Sequence, residues 1–184
     1  GVSLADATAS ETTFTMGTAN VEVEATYKDI APIGNIVIPE FAKQEEGYSD
    51  LEYKGVSVTI TNNTRIDPAK TSVVLGGLRP GDFEYILNQN HGFMTGPGTW
   101  DTLLSVRPKT GLGAGLSIAT ITLKYDCDGD GEYETTIGSG EISFGVSAKT
   151  YTVTVTKGTA SVEKAKEGIE VTITADTPEQ GKEF

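Results

Sequence analysis

The sequence predicts an all-β protein built around an antiparallel β-sandwich. Apolar and polar residues alternate with a period of two along most of the chain, and helical spacing is nearly absent. Valine and threonine fill many of these alternating positions, and both are stiff at the first side-chain torsion and suit a pleated surface. Clusters of Gly, Pro, Asn and Asp separate the segments. A strand with one apolar face needs cover on that side only, so this pattern favours two packed sheets.

The alternating segments occur in every part of the chain, and each is expected to be a strand. In chain order, their apolar positions run from Val21 to Tyr27, from Val56 to Ile60, from Ala119 to Tyr125, from Ile142 to Val146, from Tyr151 to Val155 and from Ile169 to Ile173. Residues 161–168 leave two alternatives open. They could form one or two turns of helix ended by Gly168, or a strand followed by a turn.

Two junctions divide the chain into three parts. Residues 28–32 (Lys-Asp-Ile-Ala-Pro) and residues 148–150 (Ala-Lys-Thr) interrupt the alternation. We therefore expect a small β module at 1–30, a sandwich of about seven to nine strands at 31–148 and a second small β module at 149–184. The middle part is long enough to bury a core of its own.

The composition limits the partners. The chain carries 26 acidic and 14 basic residues, for a formal charge of −12. Nucleic acid and anionic lipid attract proteins through Lys and Arg, so neither is an expected partner. The single cysteine, Cys127, excludes a disulfide within the chain. No apolar run approaches the ~20 residues that span a bilayer, and we expect any signal peptide or wall anchor to lie outside these residues.

Both ends of the chain carry patterns of a known repeat. Residues 12–28 read Thr-Thr-Phe-Thr-Met-Gly-Thr-Ala-Asn-Val-Glu-Val-Glu-Ala-Thr-Tyr-Lys, which predicts a strand, a turn and a strand. This pattern resembles the closing half of the divergent internalin-type B-repeat of Gram-positive surface proteins. Residues 151–184 contain Tyr-Thr-Val-Thr-Val-Thr-Lys-Gly and Gly-Ile-Glu-Val-Thr-Ile-Thr-Ala-Asp, and they resemble the opening half. The resemblance implies partial β-repeat modules at both ends and an extracellular, secreted or cell-surface location.

The middle part has landmarks of its own. They are Glu45-Glu-Gly-Tyr48, Val56 to Asn63, Val106 to Gly115 and Ile121 to Leu123. These segments resemble a bacterial immunoglobulin-like module, which implies an immunoglobulin-like antiparallel β-sandwich. Two segments depart from that pattern. One is the long, Gly-rich stretch from Asn88 to Thr99, and the other is the acidic loop after Tyr125.

The two end segments look like the end and the start of one repeat type. A lone two-stranded hairpin is at best marginal in water, and unpaired strand edges need a partner. We therefore expect the last segment of one chain to complete the first segment of another in a head-to-tail contact. The alternative is that each segment packs on the adjoining sandwich. The other expected partners are neighbouring modules of the same polypeptide.

The sharpest chemical signal is the acidic loop, residues 126–134, which reads Asp-Cys-Asp-Gly-Asp-Gly-Glu-Tyr-Glu. Carboxylates at positions 1, 3 and 5 with glycine at 6 open a calcium-binding loop, and hard oxygen ligands suit Ca²⁺ better than zinc. The candidate ligands are Asp126, Asp128, Asp130 and the carbonyl of Glu132. Position 12 is Ile137, so the bidentate glutamate of an EF-hand is missing. The alternative is a hairpin tip made of good turn formers, with no cofactor required.

A second candidate site is the loop at residues 88–100. Long loops on a sandwich often carry binding sites, and aromatic and amide side chains suit a sugar or a protein. The candidate ligand-binding residues are Asn90, His91, Phe93 and Trp100. The alternative is that Trp100 opens a strand and belongs to the core, while His91 is simply solvated.

Catalysis has little support in the sequence. His91 is the only histidine, and nothing in the sequence orders a nucleophile beside it. We therefore expect a protein that is not an enzyme. The favoured interpretation is a structural stalk or adhesin-type module. The alternative is a module that binds a glycan, a protein or calcium through residues 88–100 and 126–134.

Overall fold

The computed structural model describes residues 3–5, 9–25 and 27–183. In this part of the chain there are fourteen strands and two short 3₁₀ turns. The strands are β1 (Gly34–Val37), β2 (Gln44–Glu45), β3 (Lys54–Ile60), β4 (Arg65–Ile66), β5 (Thr71–Gly76), β6 (Phe83–Leu87), β7 (Met94–Thr95), β8 (Gly98–Pro108), β9 (Gly115–Tyr125), β10 (Thr135–Ser147), β11 (Tyr151–Thr152), β12 (Gly158–Ala160), β13 (Lys164–Ala165) and β14 (Ile173–Ala175). The 3₁₀ turns are Pro68–Lys70 and Pro80–Asp82. Among the described residues, no helix is long and apolar enough to cross a membrane.

Two four-stranded sheets form the body of the protein. The first has the order β1-β3-β8-β6, and the second has the order β2-β10-β9-β5. Neighbouring strands are antiparallel, except that β2 runs parallel to the end of β10. A separate two-stranded ladder joins β4 and β7. The prediction of an all-β, sandwich-like fold is confirmed.

The core lies between the two sheets and follows the predicted alternation. The buried apolar positions of the four central strands are Val56, Val58, Ile60, Leu103, Leu104, Val106, Ala119, Ile121, Leu123, Tyr125, Ile137, Ile142, Phe144 and Val146. Their neighbours along each strand are mostly Thr, Ser and Gly on the solvent side. Trp100 lies in β8, half-buried and packed against this core, as the core alternative for that residue expected.

A bulge in β10 brings the two sheets together at one edge. The register between β9 and β10 shifts between Thr136 and Gly138. At Gly138 the backbone of β1 approaches so closely that an added Cβ would lie 2.7 Å from the amide nitrogen of Ile36. Only a glycine allows this approach without displacing one of the two strands.

The segment before the sandwich differs from its prediction. Strands were expected within residues 12–28, but residues 9–25 and 27–28 belong to no strand ladder. Before Pro32 no described residue is buried. The pattern therefore lacks the covering layer and the paired edge that stabilise a strand, and a local hairpin alone is too weak to form. We call residues 20–28, described apart from Thr26, the N-terminal arm.

The segment after the sandwich forms short ladders only. β11 pairs with β13, and β12 pairs with β14, over two and three residues respectively. Beyond Val146 no described residue is buried. Residues 161–168 contain β13 and a turn at Gly168, so the strand-and-turn alternative is correct and the helical one is wrong. The boundaries predicted at 30/31 and 148/149 stay a prediction.

Candidate functional site

The acidic loop connects β9 to β10 and is organised by the carboxylate of Asp126. The two oxygens of this carboxylate accept hydrogen bonds from the amides of Gly129, at 2.6 Å, and Gly131, at 3.0 Å. Both glycines have positive φ angles, +78° and +92°, which a side chain would disfavour. The alternating Asp and Gly residues therefore close the loop on itself.

Three of the predicted metal ligands come together in this loop. The carboxylate oxygens of Asp126, Asp128 and Asp130 lie within 4.8 Å of one another. Asp126 is buried, whereas Asp128 and Asp130 are exposed. The carboxylate of Glu132 is not part of the cluster, and its amide donates to Asp130 at 2.8 Å. Glu134, which the sequence did not single out, accepts a bond from the amide of Cys127 at 3.1 Å.

The hydrogen bonds of the loop favour the charged form of the Asp126 carboxylate. Desolvation raises the pKa of Asp126, but the hydrogen bonds from Gly129 and Gly131 outweigh it, so the pKa lies below its usual value. Three carboxylates at short range supply hard oxygen donors of the kind that Ca²⁺ prefers. The same geometry is compatible with a hairpin tip, because backbone amides already satisfy Asp126.

The loop also contacts the point at which the chain enters the sandwich. The amide of Asp29 donates to the carbonyl of Cys127 at 2.8 Å. Its carboxylate accepts from the hydroxyl of Tyr125 at 2.7 Å and forms an ion pair with Lys70 at 2.9 Å. The Tyr125 hydroxyl also accepts from the amide of Asp67 at 3.2 Å. We call this end of the sandwich the entry pole.

These contacts shift three pKa values in a consistent way. The hydrogen bond from Tyr125 and the charge of Lys70 hold the pKa of Asp29 below its usual value. The hydrogen bond to Asp29 raises the pKa of Lys70. Desolvation raises the pKa of Tyr125, so it remains a neutral donor.

Further hydrogen bonds fix the residues that follow Asp29. The side-chain amide of Asn62 accepts from the amide of Ile33 at 2.9 Å and donates to the carbonyl of Ala31 at 3.0 Å. The hydroxyl of Thr64 donates to the carbonyl of Ile30 at 2.7 Å. The turn after β3 therefore fixes the position of residues 30–33, through which the chain enters β1.

A second set of contacts holds the chain where it leaves the sandwich. The carboxylate of Glu46 accepts from the amides of Ala114, at 2.8 Å, and Lys149, at 3.1 Å. Glu45 accepts from the amide of Thr150 at 3.2 Å. The bonds from Ala114 and Lys149 lower the pKa of Glu46, so the acceptor stays charged. We call this end the exit pole.

The two poles lie at opposite ends of the longest strands. In the ladder between β9 and β10, Tyr125 pairs with Thr135 near the entry pole, and Gly115 pairs with Val146 near the exit pole. β9 has 11 residues, so the poles are separated by ~33 Å at the rise of an extended strand. The chain therefore enters at one end of the sandwich and leaves at the other.

The residues of the second candidate site contact different parts of the fold. Asn90 is exposed in a turn. His91 lies 3.0 Å from the hydroxyl of Thr102 and 2.7 Å from the carbonyl of Gly92. The ring of Phe93 stacks with the guanidinium of Arg65 at 3.6 Å. Trp100 packs against the core. Ligand binding by these four residues stays a prediction.

The residues that anchor the two poles were not predicted from the sequence. Two surface cavities of about 120 and 350 Å³ at the entry pole share Asp29 and Arg65 in their lining. Asp29 lies in the junction at residues 28–32, and Glu46 lies in the segment Glu45-Glu-Gly-Tyr48. The only signal in the sequence was therefore a charged residue close to a junction. This signal does not reveal the binding partners, because they are distant in sequence.

One comparison with known proteins finds a match at the N-terminal end of the chain. The first 31 residues of the chain match the model of the divergent InlB B-repeat domain. No curated protein and no solved structure matches the chain. The match covers less than half of the chain. It supports a surface-associated bacterial repeat protein and an extracellular location.

Proposed function

We propose that this chain is a non-catalytic structural module of a bacterial surface protein, one link in an extracellular stalk. The observation that carries the proposal is the placement of the entry and exit poles at opposite ends of β9 and β10. A module connected in this way adds its full length to a chain of modules. The B-repeat match at the N-terminal end fits such an array.

The anchoring of both junctions supports the same function. Asp29 is bound to the sandwich by its backbone and by its carboxylate. Lys149 and Thr150 are bound by Glu46 and Glu45. Fixed junctions transmit direction from one module to the next, whereas an unbonded linker behaves as a flexible coil.

A more specific assignment rests on the resemblance of residues 31–148 to a bacterial immunoglobulin-like module. We propose an immunoglobulin-like module in a Gram-positive surface protein, with an adhesin or stalk role. The two stacked four-stranded sheets support this assignment. Catalysis has weak support: His91 has Thr102 beside it, but its other ring nitrogen faces a backbone carbonyl instead of a carboxylate that could orient it as a base.

Mechanical pulling tests the stalk proposal. Force applied through residues 28 and 150 acts along β10, so its hydrogen bonds, which are perpendicular to the strand, are loaded together. Force applied through Ala114 and Lys149, at the open end of the antiparallel ladder between β9 and β10, separates the pairs one at a time, starting from Gly115 and Val146. Single-molecule force spectroscopy should give a clearly higher unfolding force for the first pair of attachment points. An equal or lower force would contradict a load-bearing role.

A second candidate function is calcium binding by the acidic loop. The observation in its favour is the cluster of three carboxylates within 4.8 Å. The amide of Asp29 is bound to Cys127 in the same loop, so an ion there would act next to the entry pole.

A further inference from the structure

We propose that the N-terminal arm of one copy pairs as a strand with the free edge of β13 in a second copy. This inference does not depend on the stalk function. The contact uses residues 20–25 of the arm and residues 163–166 of the segment beyond the exit pole.

The acceptor is the outer edge of β13. β13 pairs with β11, and the amide of Val153 donates to the carbonyl of Glu163 at 2.9 Å. In an antiparallel ladder the backbone groups of the next residue point to the other side, so those of Lys164 face away from β11. A two-residue ladder without buried side chains is marginal, and a third strand would stabilise it.

The donor is the arm, which has a strand pattern but no ladder. Val21, Val23 and Ala25 alternate with Glu22 and Glu24. The side chain of Val23 is 55% exposed in the absence of a partner strand. Pairing with an open edge would provide hydrogen-bond partners for the backbone N–H and C=O groups of this segment and would cover its apolar face.

The charges of the two strands are complementary. Glu22 and Glu24 lie on one face of the arm, and Lys164 and Lys166 lie on one face of the acceptor segment. None of these four side chains forms an ion pair within 4.0 Å among the described residues, although the charge of Lys166 helps to lower the pKa of Glu46 at the exit pole. Opposite charges on facing strands stabilise a pair, whereas the formal charge of −12 makes other contacts between two copies repulsive.

The same contact is out of reach within one chain. Glu22 is seven residues before Asp29, which is fixed at the entry pole, so it reaches at most ~24 Å from that point. β13 lies beside the exit pole, because Tyr151, its partner in β11, follows the anchored Thr150. The separation of ~33 Å between the poles exceeds the reach of the arm. Among residues 1–184 the arm cannot reach β13 of its own copy, so we assign the contact to a second copy, in a head-to-tail and open-ended arrangement.

Substitutions that reverse the charges of the two strands, made in the 184-residue chain, test this assignment. Light scattering coupled to size-exclusion chromatography, over a concentration series reaching the millimolar range, should show a shift from monomer to dimer and longer species. Glu22→Lys with Glu24→Lys should abolish the shift, and so should Lys164→Glu with Lys166→Glu. Combining all four substitutions in one chain should restore it.

A matched control separates this contact from a general charge effect. Lys157→Glu with Lys182→Glu makes the same change in net charge as the exchange at Lys164 and Lys166, within the same segment but away from β13, and should leave association unchanged. A wild-type chain that stays monomeric throughout the series would overturn the proposal. Association that persists in both charge-reversed pairs, or that the fourfold variant fails to restore, would also overturn it.

Discussion

The hydroxyl of Tyr125 donates a hydrogen bond of 2.7 Å to the carboxylate of Asp29, which lies 96 residues earlier in the chain. Tyr125 is fully buried at the end of β9, and Asp29 is hydrogen-bonded to the sandwich where the chain enters it. The bond therefore ties the incoming chain to the core itself, whereas the exit pole is tied by surface glutamates.

Removing the Tyr125 hydroxyl should loosen this anchor and lower stability. Tyr125→Phe keeps the packing of the ring but leaves Asp29 with Lys70 as its charged partner and leaves the amide of Asp67 without its acceptor. We expect a loss of about 1–2 kcal/mol in the free energy of unfolding. Denaturant unfolding measures it. Tyr85→Phe, on the edge strand β6, is the control and should change stability by less than about 0.5 kcal/mol.

The anchor should also depend on pH in a defined direction. The pKa of Asp29 is lowered in the folded state by Tyr125 and Lys70. Its stabilising contribution is therefore fully present above the unfolded pKa of about 3.9, and it is lost as the pH falls through the folded pKa. The stability difference between wild type and Asp29→Asn should be larger at pH 7 than at about pH 3. A constant difference would contradict this account, and Asp176→Asn serves as an exposed control.

Gly138 should be essential for the close approach of β1 and β10. In Gly138→Ala the new methyl group would overlap the backbone of β1 at Ile36, which can move only by shifting the strand. We expect a loss of about 1–3 kcal/mol. Gly76→Ala, at a strand position where an added Cβ meets nothing within 4 Å, is the matched control. Equal effects of the two substitutions would contradict the close approach of β1 and β10.

Calcium should stabilise the protein if the acidic loop binds it. With a dissociation constant on the order of 1 mM, 10 mM Ca²⁺ would add about 1.4 kcal/mol by mass action. Thermal unfolding with and without Ca²⁺ measures the effect, which Asp128→Asn should remove and Asp176→Asn should preserve. An unchanged melting temperature in wild type would leave the loop as a hairpin tip only.

Local patterns predicted the sandwich well. The alternation from Val56 to Ile60 and from Ala119 to Tyr125 identifies the buried face correctly, because burial on one side of a strand leaves a direct trace in sequence. The cluster of Asp126, Asp128 and Asp130 was also predictable, since five residues of one loop fix it. The carbonyl of Glu132 as a further ligand stays a prediction.

Contacts between distant residues could not be predicted in the same way. Nothing near Asp29 in sequence indicates that Lys70 and Tyr125 will surround it, because that arrangement depends on the topology of the sheets. The N-terminal arm is a case in which a local pattern predicts a strand that does not form. The pattern from Val21 to Tyr27 is that of a strand, but a strand forms only where an edge is available to pair with it.

The central claim is that the chain enters the sandwich at one end and leaves it at the other. The distance between the two junctions in solution tests this claim most directly. Spin labels at Lys28→Cys and Thr150→Cys, in a Cys127→Ser background and at a concentration that keeps the protein monomeric, lie next to the anchored Asp29 at the entry pole and at the exit pole respectively. Pulsed electron paramagnetic resonance should give distances on the order of 30–40 Å, since the sandwich separates the poles by ~33 Å. A main distance below about 25 Å would place both junctions at one end of the sandwich and contradict the stalk geometry.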